Sequence, residues 1–162
     1  MSYANASGRN VLDHYGPRTT TKKFGGEYST GTAVKMKEWV FDYDDLPVGG
    51  STNLQSVIPA NARIISAKFE VLTAFTSTST TTDLLVGLEQ GDGTDIDLDG
   101  LLTAANLDQT VIAVVGGVTT GSGALVGKTV GAAAGELIVT GSAGDLLTGR
   151  ARVLVEYVEA GI

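Results

Sequence analysis

An all-β fold, an antiparallel β-sandwich or jelly roll, is predicted by three features of the sequence. Apolar and polar residues alternate in several separate segments, turn signals recur at short intervals between them, and no long segment shows helical periodicity. The composition agrees, since 22 of the 162 residues are Gly and only 3 are Pro. We therefore expect about seven or eight strands and no helix longer than about ten residues.

The clearest strand lies within residues 57–75 and follows a turn at Pro59 and Asn61. Beyond the turn, apolar and polar residues alternate with period 2, and Thr73 is the exception. Five apolar residues are expected on one face, namely Ile65, Ala67, Phe69, Val71 and Phe75. Three polar residues are expected on the other, namely Ser66, Lys68 and Glu70. Such a strand is half buried, and we expect the other strands to pack on its apolar face.

The remaining elements follow from the same alternation. Further strands are expected at residues 34–43, 84–88, 111–115, 125–130, 136–140 and 150–158. Loops are expected at residues 44–52, 77–82 and 91–100, the last of them acidic. Residues 101–107 are expected to form one helical turn or a short loop helix, with Asp99 as its cap.

Residues 1–33 are expected to form an extended N-terminal arm outside a β-sandwich domain of residues 34–162. They show no sustained periodicity and are rich in turn signals, so a disordered terminus is the alternative. An arm that becomes ordered on a partner needs apolar anchors, which a spacer does not. Six anchors recur along it: Tyr3, Val11, Leu12, Tyr15, Phe24 and Tyr28.

The charge is divided unevenly between the two ends of the chain. Residues 1–37 carry a net charge of +4, and residues 38–162 carry −11. We expect the arm to dock on an acidic surface of another chain. The residues expected to make this contact are Arg9, Arg18, Lys22, Lys23, Phe24 and Tyr28. No nucleic-acid partner is expected, because the basic residues are scattered and the acidic body would repel phosphates.

Several other classes of site are not supported by the sequence. The chain has no Cys, which excludes disulfides and thiolate metal sites, and no run is long enough to span a membrane. Residues 121–129, GSGALVGKT, end like a phosphate-binding loop, but Ser122 stands where the first Gly belongs and no helix is expected to follow. No nucleotide, cofactor or other small molecule is therefore expected to bind.

Residues 95–100 match the first half of a calcium-binding loop, with aspartates at alternate positions. The position of the bidentate Glu is Asn106, which carries no charge, and no flanking helices are expected. Ile96 and Leu98 also alternate with the aspartates, as on a strand at a sheet edge. A solvated acidic loop is the preferred interpretation, and no metal ligand is assigned.

No catalytic residue is assigned, and the chain is not expected to be an enzyme. His14 is the only His and lies in the arm, whereas a Ser-His-Asp relay needs a rigidly held His. Residues 140–144, TGSAG, have Thr140 in place of the first Gly of a nucleophile elbow. A glycosidase cleft would need a carboxylate pair, and the cluster at residues 42–45 is more typical of a solvated loop.

Three segments resemble small structural proteins of tailed-bacteriophage virions, most closely the jelly-roll capsid decoration, or cement, proteins. They are IPANARIISAKFEVLTAF (58–75), LLVGLEQGDGTDIDLDGL (84–101) and GELIVTGSAGDLLTGRARVLVEYV (135–158). The likeness spans about residues 46–158 and consists of apolar alternation, Gly-Asp-Gly turns and Thr-rich tips. The resemblance implies a homotrimer on the capsid surface of a virion that contacts the major capsid protein and bridges its subunits.

Two alternatives of other classes remain at this point. Phage tail and fibre proteins share the same sequence style, so a structural or carbohydrate-binding module there is the first. It requires exposed aromatic side chains in a groove, for which Trp39, Tyr43 and Tyr157 are the candidates. The second is an enzyme, which the single His disfavours. Residues 126–135 are rich in Ala and Gly, and such small side chains would allow the backbones of two copies of the chain to approach closely. A flexible loop is an equally good interpretation of this segment.

Overall fold

A computed structural model describes residues 34–46, 50–142 and 144–159. Its strands are β1 (Lys35–Asp42), β2 (Ser51–Ile58), β3 (Arg63–Ser77), β4 (Leu84–Glu89), β5 (Asp95–Leu102), β6 (Val118–Thr120), β7 (Gly135–Gly141) and β8 (Leu146–Val158). Helical structure in these residues is limited to α1 (Gln109–Ile112) and a 3-10 turn at Tyr43–Asp45. None of the helices in these ranges is long and apolar enough to cross a membrane. The predicted all-β fold is confirmed.

The strands form two antiparallel sheets. The first sheet has the order β1-β8-β3-β6, and the second sheet has the order β2-β7-β4-β5. Each strand of the first half of the chain pairs with one of the second half in reverse order: β1 with β8, β2 with β7, β3 with β6 and β4 with β5. A long two-stranded ribbon wrapped into a sandwich has this order, which is that of an eight-stranded jelly roll.

The hydrophobic core fills the space between the two sheets. Phe41 from β1 packs against Phe69 and Phe75 from β3, with ring centroids 6.1 Å apart in both pairs. Burying a side chain of this size contributes about 1.5–3 kcal/mol. The alternation expected for β4 and β8 is observed, with Leu84, Val86, Leu88, Val153, Val155 and Tyr157 buried. Strand β7 adds three consecutive buried residues, namely Leu137, Ile138 and Val139.

Strand β3 departs from the expected alternation at its start. Ile64 lies opposite Tyr157 of β8, but Ser66 lies opposite the next residue, Glu156, so one extra residue of β3 lies between them. This β-bulge reverses the parity of the strand. Ile64 is therefore buried, whereas Ile65 is 40% exposed. The prediction that Ile65 points into the core is wrong, while the other four apolar residues of β3 are buried as predicted.

The expected strand at residues 111–115 is wrong. Val111 and Ile112 end α1, and Val114 and Val115 are exposed in the turn after it. The helix forms because the carboxylate of Asp108 accepts hydrogen bonds from the amides of Thr110 and Val111, which satisfies two free donors of its first turn. The helical turn expected at residues 101–107 with Asp99 as its cap is wrong, because Leu101 and Leu102 end β5 and residues 104–107 form turns. Helix α1 lies beyond that segment, and its cap is Asp108.

The structure also differs from the expected loops at residues 44–52 and 91–100 and from the expected strand at residues 125–130. Strand β2 begins at Ser51 and takes the last two residues of the loop expected at 44–52. Strand β5 takes residues 95–100 of the loop expected at 91–100, so that Asp99 lies inside a strand. Residues 125–130 form turns, because Gly127 adopts a left-handed backbone with φ of 83°. They still cover the start of β3, since the amide of Gly127 donates to the carbonyl of Ile64 at 2.9 Å.

Candidate interaction surfaces

The outer face of the first sheet consists of the side chains that point away from the core. The register places four residues of this face in one row across the sheet, namely Val40, Arg152, Glu70 and Val118. A second row contains Glu38, Leu154, Lys68 and Thr120. In the first row, charged residues occupy the two central strands and a valine stands at each edge. In the second row, Leu154 lies on a central strand and Glu38 lies at an edge.

Arg152 on β8 is the centre of an ion-pair network on this face. Its Nη2 donates to Oε2 of Glu70 at 2.5 Å, and its Nη1 donates to Oε1 of Glu38 at 3.1 Å. These hydrogen bonds, that of Glu70 first, raise the pKa of the Arg152 guanidinium. Because Glu38 belongs to β1 and Glu70 to β3, the network joins three strands and fixes the pattern of charge on the face.

Exposed apolar side chains lie at the two edges of the same sheet. Met36 on β1 is 60% exposed, and Val118 on β6 is 59% exposed. Val40 of β1 and Leu72 of β3 are also exposed, as is Val34 just before β1. Single exposed apolar side chains are common, whereas contiguous exposed apolar area marks protein–protein interaction surfaces. Val34, Met36 and Val40 have the same parity and therefore lie along the same face at the β1 edge. The sequence signal for this surface is that apolar residues stand on both parities of residues 34–43, with Val34, Met36 and Val40 on the parity opposite Trp39 and Phe41.

Two groups of acidic residues were candidates for a cation or a catalytic site. Carboxylate oxygens of Asp42, Asp44 and Asp45 lie within 4.8 Å of one another at the end of β1. The aspartates of the calcium-like sequence instead lie along β5, and a strand does not wrap around an ion as a calcium loop does. Burial, followed by the hydrogen bond and charge of Asp99, raises the pKa of Asp97.

The aromatic side chains proposed for a carbohydrate groove are not available for one. Trp39 and Tyr157 are buried in the core, and only Tyr43 of the three is exposed. A sugar-binding platform needs an aromatic face open to solvent. In the described residues, this specific requirement of the carbohydrate-binding alternative is not met.

The segments that resembled catalytic or nucleotide motifs are connections between strands. Residues 121–134 contain no helix and lead into β7, so the helix N-terminus of a phosphate loop is missing. Ser142 follows β7 and accepts a hydrogen bond from the amide of Asp83 at 3.0 Å. His14 lies outside the described residues, as do the predicted contact residues Arg9, Arg18, Lys22, Lys23, Phe24 and Tyr28.

No protein-family model matches the chain, and no curated protein matches it. Chains from solved phage capsids have similar structures. A chain of the cyanophage Pam1 capsid asymmetric unit has a TM-score of 0.63 and 16% identity, with 89% of this chain and 99% of that chain covered. A chain of the Ralstonia phage GP4 capsid has a TM-score of 0.57 and 20% identity, with coverages of 86% and 93%.

A chain of the acidic stable capsid structure of Helicobacter pylori bacteriophage KHP30 is also similar. It has a TM-score of 0.52 and 16% identity, and the match covers 80% of this chain and 90% of that chain. At these identities the likeness establishes a shared fold. The resemblance of the sequence to phage virion structural proteins is thus confirmed at the level of the fold.

Proposed function

We propose that this chain is a structural protein of a phage virion, a decoration or cement protein that binds the outer surface of the capsid and bridges its subunits. The observation that carries the proposal is the jelly-roll fold shared with chains of three phage capsids. The match covers 99, 93 and 90% of those chains, so they are proteins of similar size to this one. We propose no catalytic activity.

In the proposed mechanism, the bound chain bridges neighbouring capsid subunits and adds buried interface area that links them. The chain would assemble as a homotrimer, and each copy would contact the major capsid protein. A stable interface buries about 800 Å² on each partner. The outer face of the first sheet suits such a contact, because Met36 and Val118 offer apolar area and the Arg152 network offers directional charge.

Residues 1–33 would supply the second part of the contact as an arm. Arg9, Arg18, Lys22 and Lys23 give it positive charge, and Phe24 and Tyr28 give it apolar anchorage. Its docking on an acidic surface of the shell would be sensitive to salt, since the Debye length falls from about 10 Å at 0.1 M to about 3 Å at 1 M. The apolar contact between copies would be much less sensitive.

Co-sedimentation with undecorated capsids tests the decoration role. The full-length chain is expected to sediment with capsids at low salt and to dissociate as salt rises. A chain lacking residues 1–30 is expected to bind more weakly, and Lys22→Gln with Lys23→Gln is expected to weaken binding while keeping the arm. Lys128→Gln, in the exposed connection between β6 and β7, is the control for loss of one positive charge on the body, and Lys22→Gln alone is the arm variant matched to it.

Two outcomes would contradict separate parts of the proposal. No co-sedimentation at low salt would reject the decoration role and favour a tail or fibre location. A monomer mass in light scattering at micromolar concentration would reject the homotrimer and leave the capsid contact untouched. An oligomer that persists in high salt while capsid binding is lost is the expected combination.

A further inference from the structure

A groove lies at the end of the first sheet where the chain enters β1. It has a volume of about 310 Å³ and is lined by Asn61, Arg63, Ile65, Thr129, Val158 and Glu159. Ile65 is one of its walls because the β-bulge of β3 turns this side chain out of the core. We propose that the groove holds residues 24–28 of the same chain, with the Tyr28 ring inside it and the Glu27 carboxylate paired with Arg63.

The groove lies within easy reach of this segment. Lys35 is the first residue of β1, and its Nζ lies 2.7 Å from Oε1 of Glu159, which lines the groove. Neighbouring strands are about 4.8 Å apart, and the six residue steps from Tyr28 to Val34 can span about 20 Å. Because the tether is this short, the effective concentration of the segment at its own groove is high.

The chemistry of the groove matches that of the segment. Arg63 is exposed and forms no ion pair with any residue in the described part of the chain. Within FGGEY, residues 24–28, Glu27 is the acid that can pair with it, and an aromatic residue stands on each side. Ile65 and Val158 provide the apolar surface that an aromatic ring requires.

This docking would give the arm a fixed root. Phe24 and Tyr28 would then anchor the arm on its own sandwich instead of on the shell. Residues 1–23, which carry Arg9, Arg18, Lys22 and Lys23, would leave the sandwich from one point beside β1 and remain for the partner. A segment whose start is already fixed loses less conformational freedom when it binds a partner. The inference concerns the free protein and does not depend on the proposed capsid role.

Hydrogen exchange of the full-length chain tests whether the segment docks in the groove. The amides of residues 24–28 are expected to exchange at least about tenfold more slowly than in a free peptide of the same sequence. Ile65→Lys and Arg63→Glu are expected to remove this protection. Adding Glu27→Lys to Arg63→Glu should restore it, because the ion pair is then reversed in sign.

Val118→Lys is the matched control, since it places the same charge on an exposed β-branched position of the same face. It is expected to leave the exchange of residues 24–28 unchanged. Exchange at the rate of the free peptide in the unmodified chain would overturn the proposal. Loss of protection in Val118→Lys would also overturn it, because the protection would then not come from the groove.

A disulfide distinguishes docking within one chain from docking on a second copy. The chain has no Cys, so Tyr28→Cys with Ile65→Cys introduces the only pair. After mild oxidation, a non-reducing gel is expected to show a cross-linked band of monomer size. Tyr28→Cys with Val118→Cys is expected to form no such bond. A band of dimer size in the first variant would assign the groove to the neighbour's segment and overturn the proposal.

Discussion

Arg152 on β8 binds the carboxylate of Glu70 on β3 through two hydrogen bonds to the same oxygen, from Nη2 at 2.5 Å and from Nε at 2.9 Å. The two residues lie directly opposite each other in the register of the first sheet. On its other side Arg152 binds Glu38 of β1 at 3.1 Å. One guanidinium thus connects three strands, including the edge strand that follows the arm.

Replacing Glu70 with Gln should lower the melting temperature slightly, because the Arg152 guanidinium then donates to a neutral amide oxygen instead of a carboxylate. The loss should shrink as salt rises, since the pair is partly exposed and screened. Glu38→Gln, which removes the charge of a partner held by a single hydrogen bond, should have a smaller effect. Thermal unfolding at low and high salt measures the melting temperatures of both variants. Equal decreases would argue that the two hydrogen bonds to Glu70 stabilise the sheet no more than the single bond to Glu38.

Because of the β-bulge at the start of β3, replacing each of two adjacent isoleucines should lower the free energy of unfolding by very different amounts. Ile64→Ala should lower the free energy of unfolding by about 2–5 kcal/mol, since Ile64 is fully buried. Ile65→Ala should cost less than about 1 kcal/mol, since its side chain is 40% exposed. Urea unfolding measures both. The reverse order would mean that β3 continues its alternation without the bulge.

Gly87 on β4 is expected to tolerate no side chain. A Cβ atom there would lie 2.0 Å from the backbone oxygen of Asp97, so the β5 backbone would have to move. Gly87→Ala should therefore lower the free energy of unfolding by about 1–3 kcal/mol. Gly141→Ala on β7 is the control, because its nearest neighbour would be a Leu84 methyl at 4.0 Å. Similar stabilities of the two variants would show that β5 can shift at little cost.

The raised pKa of Asp97 should make the stability difference between the unmodified chain and Asp97→Asn depend on pH. Its pKa in the folded chain is raised, first by burial and then by Asp99, so the folded state binds its proton more tightly than the unfolded state. Stability is then lost as pH rises from the ordinary value near 3.8 through the folded pKa. Asp97→Asn should raise the melting temperature at pH 7 and have little effect at pH 3.

Asp92 provides the comparison of opposite sign. Hydrogen bonds from the backbone and side chain of Thr94 lower the pKa of Asp92, so its contribution is present above the ordinary pKa and lost as pH falls through the lowered one. Asp92→Asn should therefore lower the melting temperature at pH 7. If Asp97→Asn and Asp92→Asn shifted the melting temperature at pH 7 in the same direction, the opposite pKa shifts of the two aspartates would be contradicted.

Deletion of residues 1–30 should leave a folded β-sandwich. Among residues 34–46, 50–142 and 144–159, the core extends from Trp39 to Tyr157 and consists of residues of the two sheets and their connections. The truncated chain should show a strand-dominated circular dichroism spectrum and a cooperative thermal transition. Failure to fold would mean that the arm contributes to the core, and the division at residue 34 would be wrong.

The sequence alone determined the fold class, because alternation with period 2 is a local property of each strand. Alternation along the sequence predicted the residues of β4 and β8 that share one face and most of the inward-facing residues of β3, while for β7 it predicted only a strand. The phosphate-loop and nucleophile-elbow patterns were each found to lack a required Gly. The sequence also indicated the arm, which stays a prediction. The only sequence feature that indicated the outer face of the first sheet was that apolar residues occur at both odd and even positions around Trp39.

Tertiary structure decided what depends on residues far apart in the chain. The bulge that exposes Ile65 exists because Tyr157 and Glu156 fix the pairing of β3, and no local pattern near Ile65 reports their register. The interleaved order of the strands and the meeting of Arg63 with Glu159 in one groove follow from the same long-range pairing. A pattern along one strand specifies which face is apolar, but only its partner strands specify where that face is interrupted.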